Sequence, residues 1–199
     1  MEPDNELDYK INNVVATVNV NIKEKLDLVK IARRISDAEY NPERFPGLVL
    51  RDEKPRATFL IFSTGKMVVT GLERVQNAEK AVKRVLKILK KIGLKLPEPD
   101  ISIQNIVASG DLHTLIDLNK AIIYLDYAMY EPEVFPGLIY RMLEPTAVFL
   151  LFSTGKYVCT GVKLEEEIEE AILNLGDIIK DLEITREEYV EEEFEISFI

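Results

Sequence analysis

The feature that most constrains this sequence is an internal repeat. The segment from Tyr40 to Gly71 (YNPERFPGLVLRDEKPRATFLIFSTGKMVVTG) aligns at an offset of 90 with the segment from Tyr130 to Gly161 (YEPEVFPGLIYRMLEPTAVFLLFSTGKYVCTG), and 20 of 32 positions are identical. Upstream, residues 11–20 align with residues 103–112 at an offset of 92. The chain therefore consists of two copies of one supersecondary unit, and both copies are expected to fold alike.

The repeat also sets the domain boundaries that we predict. These are an acidic N-terminal segment (1–10), repeat 1 (11–96), repeat 2 (97–182, with a linker at 97–100) and an acidic C-terminal tail (183–199). The linker 97–100 (PEPD), which follows Leu96, is short and rich in proline. Such a linker favours two units that dock against each other over two that tumble independently.

Each repeat is predicted to be α+β. Residues 11–20 alternate as a β-strand does, and residues 27–35 then carry apolar side chains at helical spacing. Three short strands follow in PGLVLR, ATFLIF and KMVVTG, separated by turn residues. A longer helix closes each repeat, with one apolar stripe formed by Ala78, Val82, Val85, Leu89 and Ile92 in the first copy and by Ile168, Ala171, Ile172, Leu175 and Ile179 in the second.

Both faces of the predicted strands are largely apolar. By the period of two, one face carries Val14, Phe59 and Val69 and should pack against the helices. The other face carries Asn13, Val15, Thr17, Thr58, Leu60, Phe62, Val68 and Thr70, and in the second copy Asn105, Val107, Ser109, Val148, Leu150, Phe152, Val158 and Thr160. Because the helices are already used by the first face, the second is predicted to be a binding surface. Its coverage by another layer or a second subunit is the alternative.

The duplication indicates what such a surface could bind. Two copies of one pattern give a pseudo-twofold surface, which matches the approximate twofold symmetry of duplex DNA. The minor groove of A·T pairs offers only acceptors, so its recognition needs few donors and extensive apolar contact. Paired Asn and Thr side chains could supply those donors.

Composition and single residues argue against several other classes of protein. The 199 residues are 47% hydrophobic and contain no long apolar run, so we expect neither membrane insertion nor export. One cysteine and one histidine predict neither disulfides nor a metal site. The two Ser-Thr-Gly-Lys segments lack the phosphate-binding-loop pattern, and no catalytic set or cofactor is predicted. We interpret Cys159 as a buried, inert thiol and His113 as a surface residue.

The charge is divided unequally between the repeats. The chain has a net charge of −10, but residues 11–96 carry +9 and residues 100–199 carry −15. The repeat 1 long helix is basic at Lys80, Lys83, Arg84, Lys87, Lys90 and Lys91, whereas its counterpart is acidic at Glu165, Glu166, Glu167, Glu169 and Glu170. These are either ordinary solvated faces or marks by which partners distinguish the two halves. An acidic DNA-binding chain should depend on apolar burial more than on counterion release.

The duplicated blocks IxNxVA, YxPExFPGLxxR and FSTGKxVxTG, within residues 8–182, resemble the TATA-box-binding proteins, archaeal type. The resemblance implies a ten-stranded curved antiparallel sheet, shaped as a saddle, with four helices on its convex side. It also implies a general transcription-initiation factor that binds the TATA box in the minor groove, kinks it, and nucleates assembly of transcription factor B and RNA polymerase. Such a factor would be intracellular, in the nucleoid of an archaeal cell or the nucleus of a eukaryotic one.

The same resemblance assigns candidate site residues. Base contacts fall to Asn13, Asn105, Thr70, Thr160, Val15, Val107, Val68, Val158, Leu60 and Leu150. The wedges that open a base step at each end, a mechanism for which this family is itself a known example, fall to Phe45, Phe62, Phe135 and Phe152. Phosphate contacts fall to Arg51, Arg141, Lys66 and Lys156, which we expect at strand ends. The contact for transcription factor B falls to Glu131, Glu133 and Val134.

Three points stay open at the level of sequence. The chain could be a saddle-fold protein-interaction module that does not bend DNA, or it could dimerise through the concave face. It could also be an accessory domain of a nucleic-acid enzyme. The acidic tail could be a solubilising extension, or its alternating Phe194, Ile196 and Phe198 could add an edge strand or cover an apolar surface.

Overall fold

The computed structural model describes residues 7–186 and contains the same series of elements twice. Repeat 1 comprises β1 (Tyr9–Asn19), α1 (Leu28–Arg34), β2 (Ala38–Glu39), β3 (Leu48–Glu53), β4 (Arg56–Ile61), β5 (Lys66–Leu72) and α2 (Gln76–Lys91). Repeat 2 comprises β6 (Asp100–Asp111), α3 (Leu118–Tyr124), β7 (Ala128–Met129), β8 (Leu138–Met142), β9 (Ala147–Leu151), β10 (Lys156–Val162) and α4 (Glu165–Asp181). The pattern of alternation missed β2 and β7, because two residues are too few to show a period.

All ten strands form one antiparallel sheet, which confirms the predicted strand number. The strand order is β2-β3-β4-β5-β1-β6-β10-β9-β8-β7, so the first strands of the two repeats pair at the centre. In that pair Val14 lies opposite Ile106, Asn13 opposite Val107, and Val15 opposite Asn105. The pseudo-twofold axis of the molecule therefore passes through the Val14 and Ile106 pair.

The core lies between the sheet and the helices. Val14, Phe59, Val69 and Phe149 are fully buried, and the corresponding side chains of every long strand alternate with half-buried ones. The predicted stripes of α2 and α4 face the same layer and are buried, except that Ile92 is half-buried. Full burial of one such side chain stabilises the fold by about 1.5–3 kcal/mol. The layer of helices therefore covers one face of the sheet, as predicted.

The short helices begin at the same residue type in both repeats. The Asp27 carboxylate accepts a hydrogen bond from the backbone N–H of Lys30 at 2.9 Å. The equivalent Asp117 accepts from the N–H groups of Asn119 and Lys120, both at 3.0 Å. An aspartate in this position satisfies N–H groups that have no partner inside the helix. Both α1 and α3 are therefore started by a local signal.

The structure moves two predicted boundaries. β1 begins at Tyr9, so the last two residues of the predicted N-terminal segment belong to the sheet. At the other end Ile184 is fully buried and Thr185 forms a bridge with Ile116, so the first residues of the predicted tail belong to the fold. Phe194, Ile196 and Phe198 lie outside the described residues.

Candidate nucleic-acid interface

We call the side of the sheet opposite the helices the open face. The side chains along its middle are half-buried in both repeats, and they include all of the predicted base-contact residues: Asn13, Val15, Leu60, Val68, Thr70, Asn105, Val107, Leu150, Val158 and Thr160. Half-burial here reflects contact with neighbours in the sheet, because no element within residues 7–186 covers this face. The structure thus brings the predicted base-contact set together on one surface.

The two asparagines are held by hydrogen bonds that leave donors available. Asn13 Oδ1 accepts from the Gly71 N–H at 2.8 Å and from Thr70 Oγ1 at 3.2 Å. Asn105 Oδ1 accepts from the Gly161 N–H at 2.8 Å and lies 3.1 Å from Thr160 Oγ1. Within residues 7–186 Asn13 Nδ2 has no hydrogen-bond partner, and Asn105 Nδ2 contacts only Thr160 Oγ1, at 3.0 Å. Amide N–H groups of this kind can donate to acceptors on a ligand.

The same bonds involve the threonines. Thr70 and Thr160 are predicted to donate to bases alongside the asparagines, and in the structure each hydroxyl lies against the neighbouring amide. The glycines that follow were not predicted to take part. Gly71 and Gly161 have φ values of 86° and 92°, a backbone conformation that L side chains rarely adopt, and they direct their N–H groups at the asparagines. The duplicated Thr-Gly was the signal that could have revealed this.

A pair of phenyl rings stands at each end of the open face. Phe45 and Phe62 have ring centroids 5.9 Å apart and cross at 62°, and Phe135 and Phe152 lie 5.9 Å apart at 64°. Edge-to-face contact of this kind stabilises an aromatic pair by about 0.5–1.5 kcal/mol beyond burial. Phe45 is 36% exposed, and the other three are half-buried. Each pair is therefore fixed in orientation yet accessible.

A glycine beneath each ring pair makes this packing possible. A Cβ atom at Gly47 would lie 2.6 Å from a Phe45 ring carbon and 3.1 Å from a Phe62 ring carbon. At Gly137 the corresponding distances to Phe135 and Phe152 are 2.7 and 3.0 Å. The glycine of each Phe-Pro-Gly therefore belongs to the site through the space that it leaves.

The four predicted phosphate contacts are all exposed, but two of them are not at strand ends. Lys66 and Lys156 are the first residues of β5 and β10, as predicted. Arg51 and Arg141 instead lie inside β3 and β8, on the open face, because they continue the alternation of Val49 and Ile139. Arg51 Nη1 pairs with Glu39 Oε1 at 2.8 Å, whereas the position equivalent to Glu39 is Met129. Met129 therefore offers Arg141 no carboxylate at the position from which Glu39 pairs with Arg51.

The predicted transcription factor B contact lies in the loop between β7 and β8. The carbonyl of Glu131 accepts from the N–H groups of Val134 and Phe135, both at 2.9 Å. Glu131 and Glu133 are exposed, and Val134 is 79% exposed although it is apolar. The loop thus presents two carboxylates and one apolar side chain on a hydrogen-bonded turn.

Cys159 and His113 lie where the sequence placed them. Cys159 is fully buried in β10, and burial raises the pKa of its thiol to about 12. His113 is exposed, and its Nε2 lies 2.8 Å from Asp8 Oδ2. Among residues 7–186 no cluster of side chains suited to a metal ion is found, and no helix is long and apolar enough to cross a membrane.

The buried thiol gives a prediction that tests the core. We expect Cys159 of the folded protein to resist alkylation by iodoacetamide at pH 8, because the reactive thiolate is disfavoured by burial and the reagent has no access. Mass spectrometry before and after addition of guanidinium would measure this. Modification of the native protein as fast as that of the denatured protein would contradict the packing described for β10.

Fold and open face together define a class: a duplicated α+β saddle protein with an apolar, donor-bearing sheet. A family model described as transcription factor TFIID, or TATA-binding protein, matches residues 8–92 and 100–182. The chain belongs to the TATA-box-binding protein family, as its duplicated motifs predicted. This is a family of DNA-binding transcription factors and not a family of enzymes.

Similar proteins span nearly the whole chain. A TATA-box-binding protein of Pyrobaculum islandicum is 50% identical over 185 residues, which cover 92% of this chain and 90% of that protein. One from Sulfolobus acidocaldarius is 49% identical over 198 residues, covering 97% and 98%. A solved structure of Methanococcus jannaschii TBP superposes with a TM-score of 0.79 at 40% identity, covering 87% of this chain and 99% of that one. The predicted saddle fold is confirmed.

Proposed function

We propose that this chain is a general transcription-initiation factor that binds the TATA box through the minor groove with its open face. The observation that carries the proposal is the pair of asparagines beside the pseudo-twofold axis, each with its amide oxygen occupied and donor N–H groups available. Around them the face is formed by valine and leucine side chains. Donors set in an apolar surface match the minor-groove floor of A·T pairs, which presents only acceptors. They do not match G·C pairs, where the amino group of guanine adds a donor.

The phenyl pairs support a further part of the proposal, that the protein kinks the DNA. Phe45 with Phe62 and Phe135 with Phe152 stand at opposite ends of the open face, where they could enter two base steps. Unstacking costs a few kcal/mol per step. Burial of an apolar side chain returns about 1.5–3 kcal/mol, so four rings and the valines beside them offset that cost.

Binding of a short A·T-rich duplex labelled with fluorophores at both ends tests the proposal. Energy transfer should rise on binding, because a kink draws the ends together. A G·C-rich duplex of the same length is the control, and its binding should be weaker because the guanine amino group meets the donors and valines. Failure of the folded protein to bind either duplex at any salt would favour a protein-interaction or dimerisation module instead.

We also predict an unusually small effect of salt on this affinity. The four cations flank the open face and are proposed to contact phosphates, but Arg51 already pairs with Glu39 and the chain carries a net charge of −10. A protein that contacts many phosphates loses about 10³–10⁵ in affinity between 50 and 200 mM salt. Four phosphate contacts alone would give a loss of about a hundredfold. We expect a smaller loss than that, measured by fluorescence titration across the same range. A loss of the larger size would show that counterion release, not apolar burial, drives binding.

We further propose that the β7–β8 loop recruits transcription factor B, after which RNA polymerase joins in the nucleoid of the cell. Charge reversal in Glu131→Lys, Glu133→Lys should lower recruitment of factor B to the bound duplex by about tenfold or more, because it replaces both exposed carboxylates of the loop by groups of opposite charge. A gel-shift titration would measure this. The control is Glu43→Lys, a single charge reversal at the residue of repeat 1 equivalent to Glu133. Equal recruitment by the reversed protein would refute the assignment.

A further inference from the structure

A groove on repeat 2 lies at the edge of the sheet beside α4, and it shares Arg141 with the open face. It is bounded by α4, by the turn between α3 and β7, and by the connection from β8 to β9, and its volume is about 430 Å³. Tyr127 and Leu143 stand at its rim with 66% and 61% of their surface exposed. Exposed apolar side chains gathered at a concave surface are typical of an interaction site. We call this the repeat 2 groove.

The groove is acidic. Four of its lining residues are carboxylates, namely Asp126, Glu144, Asp177 and Asp181, and the one cation among them is Arg141. All four carboxylates are exposed. The surface therefore repels anions and favours a cationic ligand.

The equivalent positions of repeat 1 have the opposite character. Tyr127 and Leu143 correspond to Asp37 and Glu53, and the acidic positions of β8–β9 and α4 correspond to Lys54, Lys87 and Lys91. Across the same place in repeat 1, Arg84 Nε donates to Asp52 Oδ2 at 2.6 Å, whereas repeat 2 has Asn174 and Met142 there. The shared fold therefore requires neither the exposed apolar side chains nor the acids of repeat 2.

The backbone at the rim of the groove also distinguishes repeat 2 from repeat 1. Tyr127 has a φ of 58°, in the left-handed region that is costly for a bulky side chain, and its carbonyl accepts from the Arg141 N–H at 3.2 Å. Its counterpart, Asp37, does not have a positive φ. Repeat 2 thus holds a large aromatic ring at the surface in a conformation that local preference disfavours.

We propose that the repeat 2 groove is a docking site for a partner protein, and that it takes a lysine- or arginine-rich segment carrying a large apolar side chain. The carboxylates would pair with the cations, and the apolar side chain would pack between Tyr127 and Leu143. DNA and the chain's own tail are excluded as occupants by charge, since residues 183–199 hold seven acids and one base. The inference does not depend on DNA binding.

The test uses the full chain and a short fluorescein-labelled peptide of lysine and leucine, with a second peptide in which serine replaces leucine. Fluorescence anisotropy should give a Kd for the leucine peptide that is several-fold lower than for the serine peptide. Asp177→Lys, Asp181→Lys should raise that Kd by about tenfold or more. The matched control is Glu166→Lys, Glu170→Lys, which makes the same change in charge on the same helix outside the groove and should have a much smaller effect.

Leu143→Glu separates docking from general attraction. It installs the residue of repeat 1 at an exposed position, so folding should be retained. General attraction predicts tighter binding of the basic peptide, because an acid is added. The groove predicts weaker binding, because the apolar contact is lost.

Three results would overturn the proposal. The first is an equal loss of peptide affinity in the Asp177→Lys, Asp181→Lys variant and in the Glu166→Lys, Glu170→Lys control. The second is tighter binding of the peptide by Leu143→Glu. The third is self-association of the chain that Asp177→Lys, Asp181→Lys abolishes. The last would identify a second copy, with its basic α2, as the occupant. Binding of the A·T-rich duplex, measured alongside, should change little in the groove variants and reports on the open face alone.

Discussion

Phe62→Ala together with Phe152→Ala should weaken binding of the A·T-rich duplex by about a hundredfold or more and abolish the rise in energy transfer. Each substitution removes one ring of an edge-to-face pair and leaves Phe45 or Phe135 without its support. Loss of two buried rings corresponds to about 3–6 kcal/mol of apolar burial in the complex. Because the kink would no longer be compensated, bending should be lost even at protein concentrations that restore binding.

A second variant isolates the shape of the ring. Phe62→Leu, Phe152→Leu keeps apolar bulk but not the flat edge that enters a base step. If the rings act as wedges, the leucine variant should regain much of the affinity that the alanine variant loses, but little of the rise in energy transfer that reports bending. Thermal unfolding of each variant, followed by circular dichroism, separates effects on the complex from effects on the fold. Unchanged energy transfer with the alanine variant would remove these phenylalanines from the proposed mechanism.

The second large effect is expected from Asn13→Asp with Asn105→Asp. Aspartate has nearly the shape of asparagine, so its carboxylate can still accept from Gly71 and Gly161 at the same positions. The amide donors, however, become acceptors with a negative charge that face adenine N3 and thymine O2. Unpaired buried charge costs about 2–5 kcal/mol, so affinity should fall by about a hundredfold while stability changes little.

The control for this change is Asn119→Asp, which adds one negative charge by the same type of substitution on the helix side of the sheet. Asn119 lies in the first turn of α3, where an acid is favourable. Its effect on DNA affinity should be within about threefold, the size of a surface charge effect. Retention of tight binding by the double open-face variant would show that the asparagines position the strands and do not donate to bases.

The fold was largely predictable because the repeat doubled every signal. A strand such as Val14 to Val18, or the stripe from Ala78 to Leu89, shows its period in one copy and again 90 or 92 residues later. The two-residue strands β2 and β7 carried no period of their own. The start of the tail was misplaced because acidity hid Ile184, a single apolar residue whose burial depends on contacts far along the chain.

The side chains that lie together on the open face could be predicted from the sequence. The hydrogen bonds and close contacts that hold them in place could not. Asn13, Phe62 and their partners could be identified from duplicated motifs. The parts played by Gly71, as a donor, and by Gly137, as space beneath a ring pair, arise from backbone approach, which residue types alone do not reveal. The repeat 2 groove needed both the exposure of Leu143 and comparison with the charged residues of repeat 1.

The pairing of β1 with β6 has a mechanical consequence. Ten residue pairs join the repeats along these strands, from Tyr9 with Gly110 to Asn19 with Asp100, and one continuous core runs beneath them. The two repeats are therefore expected to move as one rigid body, without a hinge between them. A rigid protein cannot change shape to fit a straight duplex. In the proposed complex the duplex must supply nearly all of the distortion. The affinity for a promoter would then depend on how easily its base-pair steps deform, with flexible TA steps the most favourable, as well as on the base edges that the protein contacts.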